Sequence, residues 1–220
     1  KKFLFVSSIA VLDGFNENGE LDESSDFNPK VDHSSYAISK HFSEMEVWRA
    51  SAEGLNVAIV NPGLIIGSGN WNESSGTLFK ELGENAYTFS GGTSYVDVRD
   101  VAKISVELME NNIFGERFIL ISENKKYQDV ANFIKQKLGK QATKIIPNGL
   151  LKVGVFLNTI LGWLISPLKM ANKVNVQSVT EFNKISNKKI KEKLNYQFIS
   201  VEESLAFHLE NYIKRKEVGS

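Results

Sequence analysis

Short apolar runs alternate with longer amphipathic stretches along this chain, and the alternation sets out its elements. Residues 3–8, Phe-Leu-Phe-Val-Ser-Ser, predict a buried strand ending in two hydroxyls, Ser7 and Ser8. The polar stretch 13–31, with Gly14, Gly19 and Pro29, reads as a loop. A helix is expected over 35–53, with Phe42, Met45 and Val47-Trp48 as apolar positions and Gly54 as its stop. Residues 55–60 predict a second strand, ending at Asn61-Pro62-Gly63. Beyond a polar loop at 67–76 come a short helix over 77–82 and a brief strand over 95–98, and Asp100 is placed to cap a helix over 101–110. For both Asp97 and Asp100, capping and loop ordering explain the carboxylate better than catalysis does. The remainder predicts a strand at 118–121, a helix at 128–138, a strand at 144–146, a long apolar stretch at 150–170 and a basic helix at 183–193. Ser200 and Glu203 then form a capping box before Leu205, Leu209 and Tyr212. Strands alternating with helices predict an α/β chain, and no internal repeat interrupts them.

Charge and composition narrow the function classes. The 220 residues carry 26 basic and 26 acidic side chains, so no global field favours nucleic acid. Cysteine is absent, which excludes disulfides, thiolate catalysis and cysteine-ligated zinc. His33, His41 and His208 lie in unrelated contexts, so no metal site is expected. The apolar stretch 150–170 invites a membrane reading. A full crossing needs ~20 predominantly apolar residues, however, and Asn158, Thr159 and Ser166-Pro167 interrupt this one. Bracketed by Lys152 and Lys169, it suits a helix lying in a membrane surface or one covering a hydrophobic substrate pocket.

Chemistry concentrates in Tyr36-Ala37-Ile38-Ser39-Lys40, where a phenol and an ammonium four residues apart share one helix face. A free phenol, with a pKa near ~10, transfers protons poorly at neutral pH, and a neighbouring cation makes its phenolate accessible. Four segments in order extend the pattern: Val6-Ser7-Ser8-Ile9-Ala10-Val11; Tyr36 to Lys40; Asn61-Pro62-Gly63-Leu64-Ile65-Ile66-Gly67; and Tyr95-Val96-Asp97-Val98-Arg99-Asp100-Val101-Ala102. Through these the chain resembles the extended short-chain dehydrogenase/reductase family of NAD-dependent epimerase/dehydratase proteins, in particular its dihydroflavonol-reductase-like and 3β-hydroxysteroid-dehydrogenase-like branch. A weaker fifth likeness covers 182–204.

The resemblance implies the C-terminal part of a Rossmann-type parallel sheet with helices, plus a small α/β substrate domain. Residues 1–115 would belong to the dinucleotide-binding domain, with substrate-loop segments interleaved at 67–94, and 116–220 would be mainly substrate domain and C-terminal helices. The family's opening strand, glycine-rich turn and helix, which would cradle a pyrophosphate, have no counterpart here, so the sequence reads as part of a longer enzyme. Carried over residue by residue, the resemblance makes Tyr36 the proton donor to a carbonyl oxygen, Lys40 its cationic partner and a ligand of the nicotinamide ribose, and Ser8 a further donor to that oxygen. Ser7 remains the alternative to Ser8. Tyr36, Lys40, Pro62, Gly63 and Leu64 would contact NAD or NADP. Sugar dehydratases of the family carry an acidic pair where this chain has Ile9-Ala10, and its epimerases carry a different loop after the second strand. The leading expectation is therefore a reductase of a ketone or aldehyde, with nucleotide-sugar epimerase and non-catalytic NAD(P)-binding protein as alternatives. The expected partners are a small carbonyl or alcohol substrate and a second copy of the chain, and the expected location is cytoplasmic.

Overall fold

The computed structural model describes residues 1–69, 71, 77–161 and 173–218. Two compact units share the chain: Lys1–Gly76, Ser94–Asn124 and Lys184–Ser220 form the first, and Thr77–Thr93 with Lys125–Asn183 form the second.

In the first unit, β1 (Lys2–Val6), β2 (Asn56–Pro62) and β6 (Glu116–Leu120) make a parallel sheet in the order β1-β2-β6. Phe3 pairs with Val57 and Val6 with Val60; Val60 in turn pairs with Phe118 and Pro62 with Leu120. The central strand β2 is buried from Val57 onward, which is why it reads as an unbroken apolar run rather than an alternating one. Its side chains nevertheless alternate between faces. Val57 and Ile59 cluster with Val47 and Trp48 of α1 (Ser35–Ala52), while Val60 joins Phe118 and Leu120 against Val101, Ile104 and Leu108 of α3 (Val98–Glu110). Helices thus cover both faces of a parallel sheet, the Rossmann-type α/β arrangement the sequence implies. Gly54, at φ +97°, ends α1 in the left-handed region that glycine enters without a Cβ penalty.

The strand β3 (Leu64–Ile66) pairs in parallel with β5 (Gly92–Asp97), and β7 (Glu123–Lys126) lies on the other side of β5. Helices α7 (Lys188–Leu194) and α8 (Val201–Val218) complete the first unit. At the start of α8 the amide of Glu203 donates to Ser200 Oγ at 3.2 Å, the capping bond that its sequence predicts.

The second unit contains α2 (Leu78–Glu84), β4 (Tyr87–Thr88), α4 (Tyr127–Lys137), β8 (Lys144–Ile145), α5 (Asn148–Leu161) and α6 (Lys173–Thr180). Strands β4 and β8 pair in parallel. Gly91 and Gly92 donate to the carbonyls of Val179 and Glu181 at 3.1 and 3.0 Å, and a Cβ on Gly91 would collide with those same carbonyls. Helix α5 takes up the first part of the apolar stretch and exposes Leu150, Val153 and Phe156. The rest of that stretch, Trp163 included, lies outside the described residues. Among the described residues no helix is long and apolar enough to cross a membrane.

Several expected boundaries move. Helix α3 begins three residues earlier than expected, so that Asp97 rather than Asp100 is its cap, with Asp97 Oδ1 accepting from the Arg99 amide at 2.7 Å. The basic helix starts at Lys188 instead of 183, because Leu21 and Ile185 form a parallel bridge that keeps the preceding segment extended. β1 stops at Val6, and Ser8 caps a 3-10 turn at Ile9–Val11.

Candidate functional site

Ser8, Tyr36, Lys40, Pro62, Gly63 and Leu64 all belong to the first unit. Ser34 opens α1 by accepting from the Ala37 amide at 3.2 Å, which puts Tyr36 in the first helical turn. Tyr36 is 56% exposed, and its hydroxyl has no hydrogen-bond partner among the described residues. One turn on, the Lys40 ammonium donates to the Val6 carbonyl at 2.9 Å and lies 5.2 Å from the centre of the Phe5 ring. That bond ties α1 to the end of β1, two residues before Ser8, and leaves two of the three ammonium protons without an acceptor among the described residues.

Ser8 sits where strand gives way to turn. Its Oγ accepts from the Ala10 amide at 3.1 Å, so its own proton can be donated outward. Neighbouring Ser7 is buried, and its hydroxyl has no partner among the described residues. Behind the turn, Asn61 Nδ2 donates to the Ser8 carbonyl at 3.0 Å and to Glu44 Oε1 at 2.7 Å. Pro62 closes β2, and the Gly63 amide donates to the Leu120 carbonyl at 3.0 Å. A Cβ on Gly63 would run into the Ser94 carbonyl, so packing between the strands alone requires glycine there. Leu64 is half-buried and pairs with Tyr95.

A second polar cluster, which the sequence does not advertise, gathers on Asp97. The carboxylate is buried and takes a bidentate pair from Arg99 (Nε 2.9 Å, Nη2 2.7 Å) and the Ser204 hydroxyl at 2.6 Å, with His208 Nε2 at 3.3 Å. Burial alone would push its pKa up, but the bonds from Arg99, His208 and Ser204 outweigh that and hold it far below the ordinary carboxylate value. The far ring nitrogen of His208 meets Ser68 Oγ at 2.6 Å, and Asn211 Nδ2 donates to that same oxygen at 3.0 Å. Asp100 serves a different end, accepting from the Tyr196 hydroxyl at 2.9 Å and the Ile199 amide at 3.0 Å and so anchoring the segment before α8. Among the described residues no group of histidines and carboxylates is arranged to hold a metal ion.

The comparisons agree on a class. A nucleoside-diphosphate-sugar epimerase of Pseudomonas aeruginosa superposes with a TM-score of 0.77 at 18% identity, over 96% of this chain and 66% of that one. Gre2 of Candida albicans, solved in complex with NADPH, superposes with a TM-score of 0.67 at 18% identity, over 97% of this chain and 64% of that one. At such identities the likeness is one of fold, a Rossmann-type α/β domain. Family is decided by the sequence: residues 1–120 match the NAD dependent epimerase/dehydratase family, and the chain belongs to it. Sterol demethylase protein B of Methylococcus capsulatus is 26% identical over 142 residues, which are 63% of this chain and 43% of that protein. The chain thus spans less than half the length of this curated relative.

Proposed function

We propose that this chain carries the proton-transfer side of an NAD(P)-dependent reductase that acts on a ketone or aldehyde. The observation that carries the reading is the Lys40–Val6 bond, because it fastens the face of α1 bearing Tyr36 and Lys40 to the strand that runs into Ser8. The donors fit a nicotinamide nucleotide. Lys40 has two ammonium protons for ribose hydroxyls, the Tyr36 ring would flank the nicotinamide with its hydroxyl left for the substrate, and the backbone of Pro62, Gly63 and Leu64 would lie along the nicotinamide. When bound, NADH or NADPH supplies the hydride. The Tyr36 hydroxyl then donates its proton to the substrate's carbonyl oxygen, Lys40 compensates the charge left on the phenol, and Ser8 donates a hydrogen bond to the same oxygen as it gains charge. The product is an alcohol. Ile9-Ala10 after Ser8 offer no acid–base pair for dehydration, which supports reduction over elimination.

The test is Tyr36→Phe in the intact protein, with carbonyl substrates screened by loss of NAD(P)H absorbance. Turnover should fall by about 10²-fold or more with little change in cofactor KM. Normal turnover in that variant would remove Tyr36 from the role. Interconversion of sugar epimers without net NAD(P)H consumption would establish the epimerase instead.

A further inference from the structure

Ala37, Glu44 and Val47 are the buried residues of α1, and one of the three is a carboxylate. A buried glutamate on a helix that covers an apolar sheet is costly unless its oxygens are engaged. Here both are. Oε1 accepts from Asn61 Nδ2 at 2.7 Å, and Oε2 lies 3.8 Å from Arg117 Nη1. The second proton of Asn61 Nδ2 goes to the Ser8 carbonyl at 3.0 Å. Since Ser8 O and Glu44 Oε1 are both acceptors, the amide can face them only through its nitrogen, and Asn61 is fixed in one orientation. Glu44 lies four residues beyond Lys40 and eight beyond Tyr36, so all three fall on one stripe of α1. Arg117 extends the chain of contacts outward, donating to the Glu23 carbonyl at 2.9 Å and the Ser25 carbonyl at 2.7 Å in the loop that follows the Ser8 turn.

We propose that Glu44 is a positioning residue: through Asn61 it sets the Ser8 turn at a fixed height against the helix that carries Tyr36 and Lys40. The inference rests on the reductase reading above. Two attachments then fix the end of β1 and the turn after it to one face of α1, Lys40 on the Val6 carbonyl and Glu44, by way of Asn61, on the Ser8 carbonyl. The Ser8 hydroxyl is carried by the residue whose carbonyl is held in this way. A shift of an ångström in the turn would move it out of reach of an oxygen that Tyr36 protonates, a displacement that commonly costs far more rate than binding.

Glu44→Met tests this, because methionine fills the volume and removes the acceptor, whereas Glu44→Gln keeps an oxygen for Asn61. In the intact protein, Glu44→Met should lower kcat about tenfold or more with the NAD(P)H KM within about twofold of the parent, and Glu44→Gln should restore most of it. Amide exchange gives a readout independent of turnover. The Ala10 amide, held by Ser8 Oγ, should exchange at least about tenfold faster in Glu44→Met, while that of Ile104, in α3, should not change. Parent-like Ala10 exchange, or equal acceleration at both amides, would overturn the proposal. Full kcat in Glu44→Met beside a crippled Tyr36→Phe would sink the Glu44 role alone. Full turnover in Tyr36→Phe would sink the reductase reading, and with it this inference.

Discussion

Asp97 and Asp100 stand three positions apart at the start of one helix, yet the fold treats their charges oppositely. Burial pushes Asp97 up, but the Arg99, His208 and Ser204 bonds outweigh it and hold the carboxyl well below its ordinary value of 3.8, whereas burial dominates at Asp100 and raises it in spite of the bonds from Tyr196 and Ile199. The signs follow by linkage. Asp97, depressed in the folded state, contributes stability that is present above the unfolded value near 3.8 and is lost as the pH falls below it. Asp100, raised, contributes stability that is present below the unfolded value and is lost as the pH rises through its folded one. Asp97→Asn should therefore cost roughly 2–3 kcal/mol at pH 7, by weakening several charge-assisted bonds at once, and should flatten the loss of stability on acidification. Asp100→Asn should be close to neutral at pH 7, since an amide can accept from Ile199 and donate to Tyr196. Urea midpoints across the acid range check both. Equal losses at the two positions would contradict this division of labour.

At the scale of elements, α3 presents two faces with different energetic weight. Ile104 is fully buried among Val60, Val96, Phe118 and Leu120, while Val106, two residues on, is more than half exposed. Ile104→Ala should destabilise by about 2–5 kcal/mol, the usual range for a core cavity, and Val106→Ala by no more than about 0.5 kcal/mol. Chemical denaturation of both variants is the check. The core face of this helix was legible in the sequence, because Val101, Ile104 and Leu108 recur at helical spacing. So were the β1 and β2 runs and the limits of α1, set by Ser34 and Gly54. The cap of α3 was not, since two aspartates offer the same chemistry and only the reach of β5 decides between them. A strand as short as β4 carries too few residues to show a period. Tyr36 and Lys40 stand out because both lie on one helix, whereas the bond from Ser204 to Asp97 joins positions 107 residues apart and leaves no local trace. Glu44 is instructive in a different way: a glutamate in an amphipathic helix reads as solvated until the strand opposite supplies Asn61. The four-residue spacing from Lys40 was the one available hint.

For the molecule as a whole, the consequential feature of the first unit is the edge of its parallel sheet. β1 pairs on one side with β2 and has no strand on the other among the described residues, and it leaves Phe3 and Val6 more than a third exposed. Beside it, Lys2, Leu4, Ser105, Val106, Met109 and Glu110 line a largely apolar groove of about 450 Å³. An open strand edge next to uncovered apolar surface is a template for further pairing. The 220-residue chain by itself should therefore associate at micromolar concentration and sediment faster than its 24.6 kDa monomer. Phe3→Lys places a charge on the edge strand and Val106→Glu places one in the groove, and neither touches Ser8, Tyr36 or Lys40. The two together should return the chain to a monomer with little change in far-UV circular dichroism, because both side chains are already exposed. Sedimentation velocity of the parent and the double variant decides the matter. A parent chain that is monodisperse at monomer mass, or a double variant that associates as strongly as the parent, would show that this edge is not where the chain seeks a partner.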